Sequence, residues 1–132
     1  ELKKIPIFSG YFKRLGFIFI KRDEGINSIR KITKSVSSLI KQGKSKFIIF
    51  PQGTRIYPNE KVKINSGFFA VHKMTGVPIL PVVHNSGKFW LNKRFSKVKG
   101  TIKVVIYPII KNNRNKDKML NIIERRFDKS LL

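Results

Sequence analysis

The sequence predicts an α/β fold: a mixed, largely parallel sheet with flanking helices. Three observations predict it. Short apolar runs recur at Phe17–Ile20, Phe47–Phe50, Val77–Val83 and Thr101–Tyr107. Stretches with helical spacing of apolar residues lie between or beyond these runs, and a strand–helix alternation favours layered α/β architecture. Glycines and prolines punctuate the boundaries, as they do at turns and helix ends. A length of 132 residues favours one domain, spanning residues 1–132. The chain is 41% hydrophobic, enough for an ordinary core at this size.

Each element has its own reason. Ser9–Leu15, between Gly10 and Gly16, reads as a short helical turn. Phe17–Ile20 is a strand candidate ending at Lys21, Arg22 and Asp23. Asn27 or Ser28 is a suitable cap for a helix. Ile29, Ile32, Val36, Leu39 and Ile40 step by three and four and define one helical face, with Lys31, Lys34, Ser35, Ser38 and Lys41 opposite. Gly43 is the natural stop. Phe47–Phe50 is the next strand, and Arg55–Ser66 is a loop marked by Pro58 and Asn59. Phe68–Thr75 reads as a short helix stopped by Gly76. Val77–Val83 is a strand whose Pro78 and Pro81 argue for an edge or an irregular stretch. Thr101–Tyr107 is rich in β-branched residues and ends at Pro108. After a polar loop at Asn112–Lys116, Leu120, Ile123, Phe127 and Leu131 mark a final amphipathic helix that starts near Asp117.

The charge is extreme. Twenty-nine Lys and Arg face seven Asp and Glu, a net +22. This admits a Lys-biased solvated surface, or polyanionic partners such as nucleic acid or an anionic membrane. Each Lys or Arg near an anionic leaflet contributes about 1 kcal/mol. Without cysteine, disulfides, thiolate metal sites and thiol nucleophiles are excluded. No apolar run approaches the roughly 18 residues that span a bilayer, and no signal peptide is visible. Nothing in the sequence calls for a metal or a bound cofactor.

One junction carries chemistry. The run Phe47–Phe50 stops at Pro51 and is followed by Gln52, Gly53, Thr54 and Arg55. In open α/β sheets ligands bind beyond the carboxyl ends of strands. Gly53 permits close backbone approach, Thr54 adds a hydroxyl, and Arg55 offers a planar fork of donors matched to phosphate. A plain surface turn accounts for the same residues. Arg22 also ends an apolar run. In a parallel sheet it would emerge on the same edge as Arg55 and share a phosphate with it; two unrelated surface arginines are the other reading.

The segment "FPQGTR", Phe50–Arg55, resembles the Phe-Pro-Glu-Gly-Thr-Arg motif of the glycerolipid acyltransferases, specifically the bacterial 1-acylglycerol-3-phosphate acyltransferases. "GFIFIKR", Gly16–Arg22, is similar to the family's second block. "GVPILPVV", Gly76–Val83, is similar to its fourth. "NSGKFW", Asn85–Trp90, resembles a continuation found in part of the family, and "ELKKIPIFSGYFKRLG", Glu1–Gly16, the lead-in to the second block. Order and spacing agree along nearly the whole chain.

The resemblance implies transfer of a fatty acyl group from coenzyme A or acyl-carrier protein to the sn-2 hydroxyl of lysophosphatidate. The product would be phosphatidate, made in phospholipid biosynthesis at the cytoplasmic face of the inner (plasma) membrane. By position, Arg22 and Arg55 would hold the acceptor's phosphate, with Gln52, Gly53 and Thr54 forming the pocket. Gly16, Pro51 and Pro78 would support it, Pro78 on the acyl-chain side. A basic nucleic-acid-binding module is the rival reading, since Phe89, Trp90 and Phe95 stand among Lys93, Arg94, Lys97 and Lys99. No helix-turn-helix, RNA-recognition or zinc-finger pattern accompanies them. The short helix at Ser9–Leu15, with Tyr11, Phe12, Lys13 and Arg14, suits either a membrane interface or packing on the sheet.

Two departures stand out. The family's general base belongs to a His-x-x-x-x-Asp block. The histidines here are His72 and His84, and the residues five positions on are Val77 and Phe89. Both histidines read as structural or surface residues. The resemblance therefore implies a chain truncated at its N-terminus, with the catalytic histidine upstream of Glu1, and acyl transfer is not expected from this piece alone. Gln52 replaces the family's Glu. It keeps the size and a hydrogen-bonding carbonyl but loses a negative charge beside Arg55, and is expected to be tolerated.

Overall fold

The computed structural model describes residues 10–12, 14–18, 25–53, 60, 63–90, 96–111 and 114–129. The chain divides into two compact units, Glu1–Ser45 and Lys46–Leu132. The described residues combine helices with a small sheet, an α/β composition. The sheet has two strands, and they are antiparallel.

In the first unit, residues 10–12 and 14 are helical, as the glycine-bounded turn predicts. The Phe17 N–H donates to the Phe12 carbonyl at 2.9 Å, and the two rings stand 4.8 Å apart. Phe17 and Ile18, the described part of the first strand candidate, have no strand partner among the described residues; the hydrogen bond of Phe17 serves the helical turn instead. The helix α1, Gly25–Lys41, follows.

The expected apolar spacing of α1 is real, with a shifted centre. Val36 is buried, but so are Ser28 and Thr33, while Ile29, Ile32 and Leu39 are half-buried and Ile40 is exposed. Thr33 is a polar residue inside the stripe. Its hydroxyl donates to the carbonyls of Ile29 at 2.9 Å and Arg30 at 3.0 Å, so burial leaves it satisfied within its own helix. Ser28 lies inside the first turn rather than capping it, because the helix starts at Gly25. The end is as expected: Lys44 N–H reaches the Leu39 carbonyl at 3.0 Å and Gly43 N–H that of Ile40 at 2.9 Å, a Schellman closure.

The second unit holds α2 (Gly67–Thr75), β1 (Val82–His84), a 3-10 turn (Ser86–Lys88), β2 (Val104–Ile106) and α3 (Lys116–Lys129). Its core joins Ile64, Phe68 and Phe69 to Ile110, Met119 and Ile123. Met119 is 0% exposed and sits at the centre of the α3 stripe that Leu120, Ile123 and Phe127 predict. Asn115 starts α3 as a cap: its Oδ1 accepts the Lys118 N–H at 2.9 Å. Near the other end the Tyr107 hydroxyl donates to the Arg126 carbonyl at 3.3 Å, and Arg126 Nη1 donates to the Pro108 carbonyl at 3.2 Å. These bonds tie α3 to the segment following β2.

The strand expectations are corrected in extent, and the described pair is antiparallel. Val77–Val83 and Thr101–Tyr107 contract to Val82–His84 and Val104–Ile106, pairing Val82 with Ile106 and His84 with Val104. Farther along, Ile79 pairs with Ile110. Two residues separate the pairs on one side and three on the other, so the ribbon carries a bulge. Its cause is the proline pair. Neither Pro81 nor Pro108 has an N–H, and Pro81 takes part only through its carbonyl, which accepts the Tyr107 N–H at 3.0 Å.

Antiparallel pairing follows from the connection. A parallel pair needs a crossover, usually a helix. Here the chain doubles back, with Val98 N–H on the Phe89 carbonyl at 2.8 Å. Phe47–Phe50 forms no strand: its backbone has no ladder partner among the described residues, and Ile48 and Phe50 are 85% and 75% exposed.

Candidate functional site

The junction after Phe50 is a β-turn. Gly53 N–H donates to the Phe50 carbonyl at 3.0 Å, closing Phe50–Pro51–Gln52–Gly53. Pro51 stands at the second position of the turn, where its fixed φ is already suitable, and glycine is favoured at the fourth. Gly53 has φ 67, the left-handed region. An L-residue there is disfavoured by roughly 1–2 kcal/mol.

The turn is anchored from a distance. Asn65, two residues before α2, donates its backbone N–H to the Pro51 carbonyl at 2.9 Å. Its side-chain amide Nδ2 donates to the Gln52 carbonyl at 3.4 Å. A Cβ on Gly53 would meet that same nitrogen at 3.3 Å, so the glycine also makes room for the anchor. The apolar run therefore stops because Pro51 turns the chain, and the turn holds its shape because Asn65 binds both carbonyls inside it. Nothing in the local pattern around Asn65 marks it for this role; the two partners are 13 residues apart.

Of the predicted site residues, Pro51, Gln52 and Gly53 are brought together here, and Pro51 and Gln52 are half-buried. Arg22, Thr54 and Arg55 lie outside the described residues. Gly16 lines an open hollow of about 420 Å³ in the first unit, with Phe17, Ile18, Lys34, Ser35, Ser38 and Leu39. Pro78 is exposed and precedes Ile79, whose backbone exchanges hydrogen bonds with Ile110 at 3.0 and 2.8 Å. Pro78 thus sits at the entrance of the ribbon.

The histidines occupy the structural and surface positions expected of them. His72 is buried in α2, and its Nδ1 lies 2.7 Å from the Val77 carbonyl. A carbonyl only accepts, so Nδ1 carries the proton. The carbonyl belongs to the residue five positions on, where a His-x-x-x-x-Asp block would have its aspartate. His84 is exposed at the end of β1, hydrogen-bonded through Nδ1 to the Ser86 hydroxyl at 2.8 Å. Among the described residues no three His, Asp or Glu side chains gather closely enough to hold a metal ion. No helix among them is long and apolar enough to cross a membrane.

Comparison with known proteins gives a consistent result. Residues 1–85 match the model of a family described as Acyltransferase. The chain is 34% identical over 108 residues, 82% of its length, to the 1-acyl-sn-glycerol-3-phosphate acyltransferase of Pseudomonas aeruginosa. It is 28% identical over 130 residues, 95% of its length, to the protein of that name from Saccharomyces cerevisiae. It is 34% identical over 99 residues, 74% of its length, to a probable 1-acyl-sn-glycerol-3-phosphate acyltransferase of Mycoplasma genitalium. The matched part is 42%, 42% and 36% of those relatives, so the chain spans well under half of each. No solved structure matches. The family match covers more than half of the chain and takes in both the Gly16–Arg22 block and the Asn65-anchored turn: the chain belongs to the acyltransferase family.

Proposed function

We propose that this chain supplies the acceptor-binding part of an enzyme that acylates lysophosphatidate. A fatty acyl group passes from the thioester of coenzyme A or acyl-carrier protein to the sn-2 hydroxyl, and phosphatidate forms. The observation that carries this reading is the 34% identity, over 82% of the chain, to the 1-acyl-sn-glycerol-3-phosphate acyltransferase of Pseudomonas aeruginosa. The pinned turn supports it: a preorganised Gln52–Gly53 backbone at the end of an apolar run is a suitable platform for an anionic headgroup.

In this reading Arg55 and Arg22 neutralise the acceptor's phosphate, Thr54 hydrogen-bonds to it, and Gln52 contacts a glycerol hydroxyl. Gly16, Pro51 and Pro78 hold the surrounding backbone. The largely parallel sheet belongs to the proposal as well, supported by the strand–helix alternation in the sequence. The net charge of +22 supports work at an anionic membrane surface, at the cytoplasmic face of the inner membrane. The aromatic and basic turn around Tyr11, Phe12 and Arg14 is suited to that interface. Nucleic-acid binding, the other reading of the charge, gains no support from the relatives. The 132 residues contain no His-x-x-x-x-Asp, so the chain by itself provides an acceptor site without the general base.

Titration calorimetry with short-chain lysophosphatidate tests the reading. The chain binds it, binds lysophosphatidylcholine at least tenfold more weakly, and loses affinity on Arg55→Ala, with partial recovery in Arg55→Lys. Equal binding of the two lipids, or indifference to Arg55→Ala, sinks the assignment. Release of coenzyme A by the purified chain would contradict the missing base.

A further inference from the structure

The β1–β2 ribbon has two faces of opposite character. Val83 and Val105 point inward, and Val83 is 7% exposed. Val82, His84, Val104 and Ile106 alternate with them and point outward. The aliphatic three are 43%, 57% and 66% exposed, and Leu80 continues the same alternation, also exposed. Scattered exposed aliphatics are ordinary. These are not scattered: the register sets Val82 opposite Ile106, with Val104 as the next outward neighbour, which makes one contiguous apolar patch.

The end of the ribbon at His84 and Val104 is where the connecting segment leaves and returns. That segment presents Trp90, 63% exposed, with the Lys97 ammonium 4.7 Å from its ring centroid. Lys99 and Lys103 follow on the return and are exposed. An aliphatic patch followed along the chain by an exposed tryptophan and lysines matches the chemistry of a membrane–water boundary, where the indole sits at headgroup level and lysine stems reach along apolar surface. The charge decides between occupants. A second copy would bring +22 against +22, whereas an anionic leaflet attracts it. A nucleic acid offers no aliphatic interior for Val82 and Ile106.

We propose that the outer face of this ribbon docks on an anionic bilayer, with Val82, Val104 and Ile106 entering the headgroup–acyl boundary and Trp90 beside them. This rests on the membrane-surface reading above and names the face that carries it. Binding has two parts: salt-sensitive attraction by lysines and salt-resistant burial of the aliphatic patch.

The test uses the 132-residue chain, vesicles of phosphatidylglycerol mixed with phosphatidylcholine, and vesicles of phosphatidylcholine alone. Trp90 is the only tryptophan, so its emission reports on this region without a label. The expected results are binding to the anionic vesicles, a blue shift of emission and quenching by brominated lipid. The variant Val82→Thr/Val104→Thr/Ile106→Thr keeps β-branched shape on an exposed face. It should bind at least tenfold more weakly with an unchanged circular dichroism spectrum. Wild-type binding without quenching of Trp90, or a triple variant that binds as wild type does, overturns the ribbon while leaving membrane association standing. Absence of wild-type binding to anionic vesicles overturns both. A wild-type dimer that the triple variant dissociates assigns the face to a second copy and also overturns the proposal.

Discussion

Asn65 donates its backbone N–H to the Pro51 carbonyl at 2.9 Å, and that bond holds in place the turn on which the proposed acceptor site stands. A second bond, from the Asn65 side chain to Gln52, lies 3.4 Å long beside Gly53. Two residues of the turn, Pro51 and Gln52, are thus tied to the entrance of α2.

Weakening the anchor separates its two bonds. Asn65→Ala keeps the main-chain bond and removes the side-chain one. Since the site is exposed, stability should fall by no more than about 1 kcal/mol in urea. Gly53→Ala costs more, roughly 1–2 kcal/mol, because the left-handed φ disfavours any Cβ. In the complete enzyme both changes should raise KM for lysophosphatidate more than they lower kcat. A kcat effect with KM unchanged would remove the turn from acceptor binding.

Gln52→Glu restores the family's usual residue. The added charge stands beside the proposed phosphate and Arg55. The balance should leave acyl transfer by the complete enzyme within roughly fivefold, the scale of about 1 kcal/mol for charges in a hydrated setting. A gain of about a hundredfold would show that Gln52 is not a tolerated variant.

His72 holds structure. His72→Leu leaves the Val77 carbonyl without its donor and should cost about 1–3 kcal/mol in thermal or urea unfolding. Specific activity of the folded fraction of the complete enzyme should not change. Loss of kcat at full stability would make His72 part of the chemistry.

Met119→Ala empties the centre of the second unit's core. Met119 is fully buried against a cluster that includes Phe68, Phe69 and Ile123, and such truncations cost about 2–5 kcal/mol. Calorimetric unfolding measures it. A cost below about 1 kcal/mol would mean that the α3 contacts collapse easily or are not formed.

Gly100 is required by Phe89. A Cβ at Gly100 would overlap the Phe89 ring, which lies directly against the glycine. Gly100→Ala should destabilise by about 1–3 kcal/mol through overpacking. Phe89→Leu in the same chain should return part of that loss, since the side chain in the way is then smaller. Strict additivity of the two changes would deny the contact.

Much of this molecule is legible in its sequence. The helices at Gly25–Lys41 and Lys116–Lys129 follow from apolar spacing, and the glycine stops of Gly25–Lys41 and Gly67–Thr75, at Gly43 and Gly76, follow from local geometry, because both signals are short-range. The family is legible as well, since "FPQGTR" and its flanking blocks are linear patterns. The placement of Arg22, Thr54 and Arg55 lies outside the described residues, and their roles stand as proposals.

What only the tertiary structure decided is which groups find partners across distance. Apolar character alone assigned strands to Phe47–Phe50 and to all of Val77–Val83. A strand exists only where a second backbone supplies its ladder, and among the described residues that happens at Val82–His84, antiparallel, with a bulge where two prolines lack donors. Composition likewise could not separate Met119 from its neighbours, or distinguish Asn65 from any polar loop residue. By itself the sequence determined the helical segments, the charge and the family blocks, which are properties of nearby residues. The fold decided the anchored turn, the buried His72 and the ribbon's exposed face, because each depends on a contact partner that no local pattern encodes.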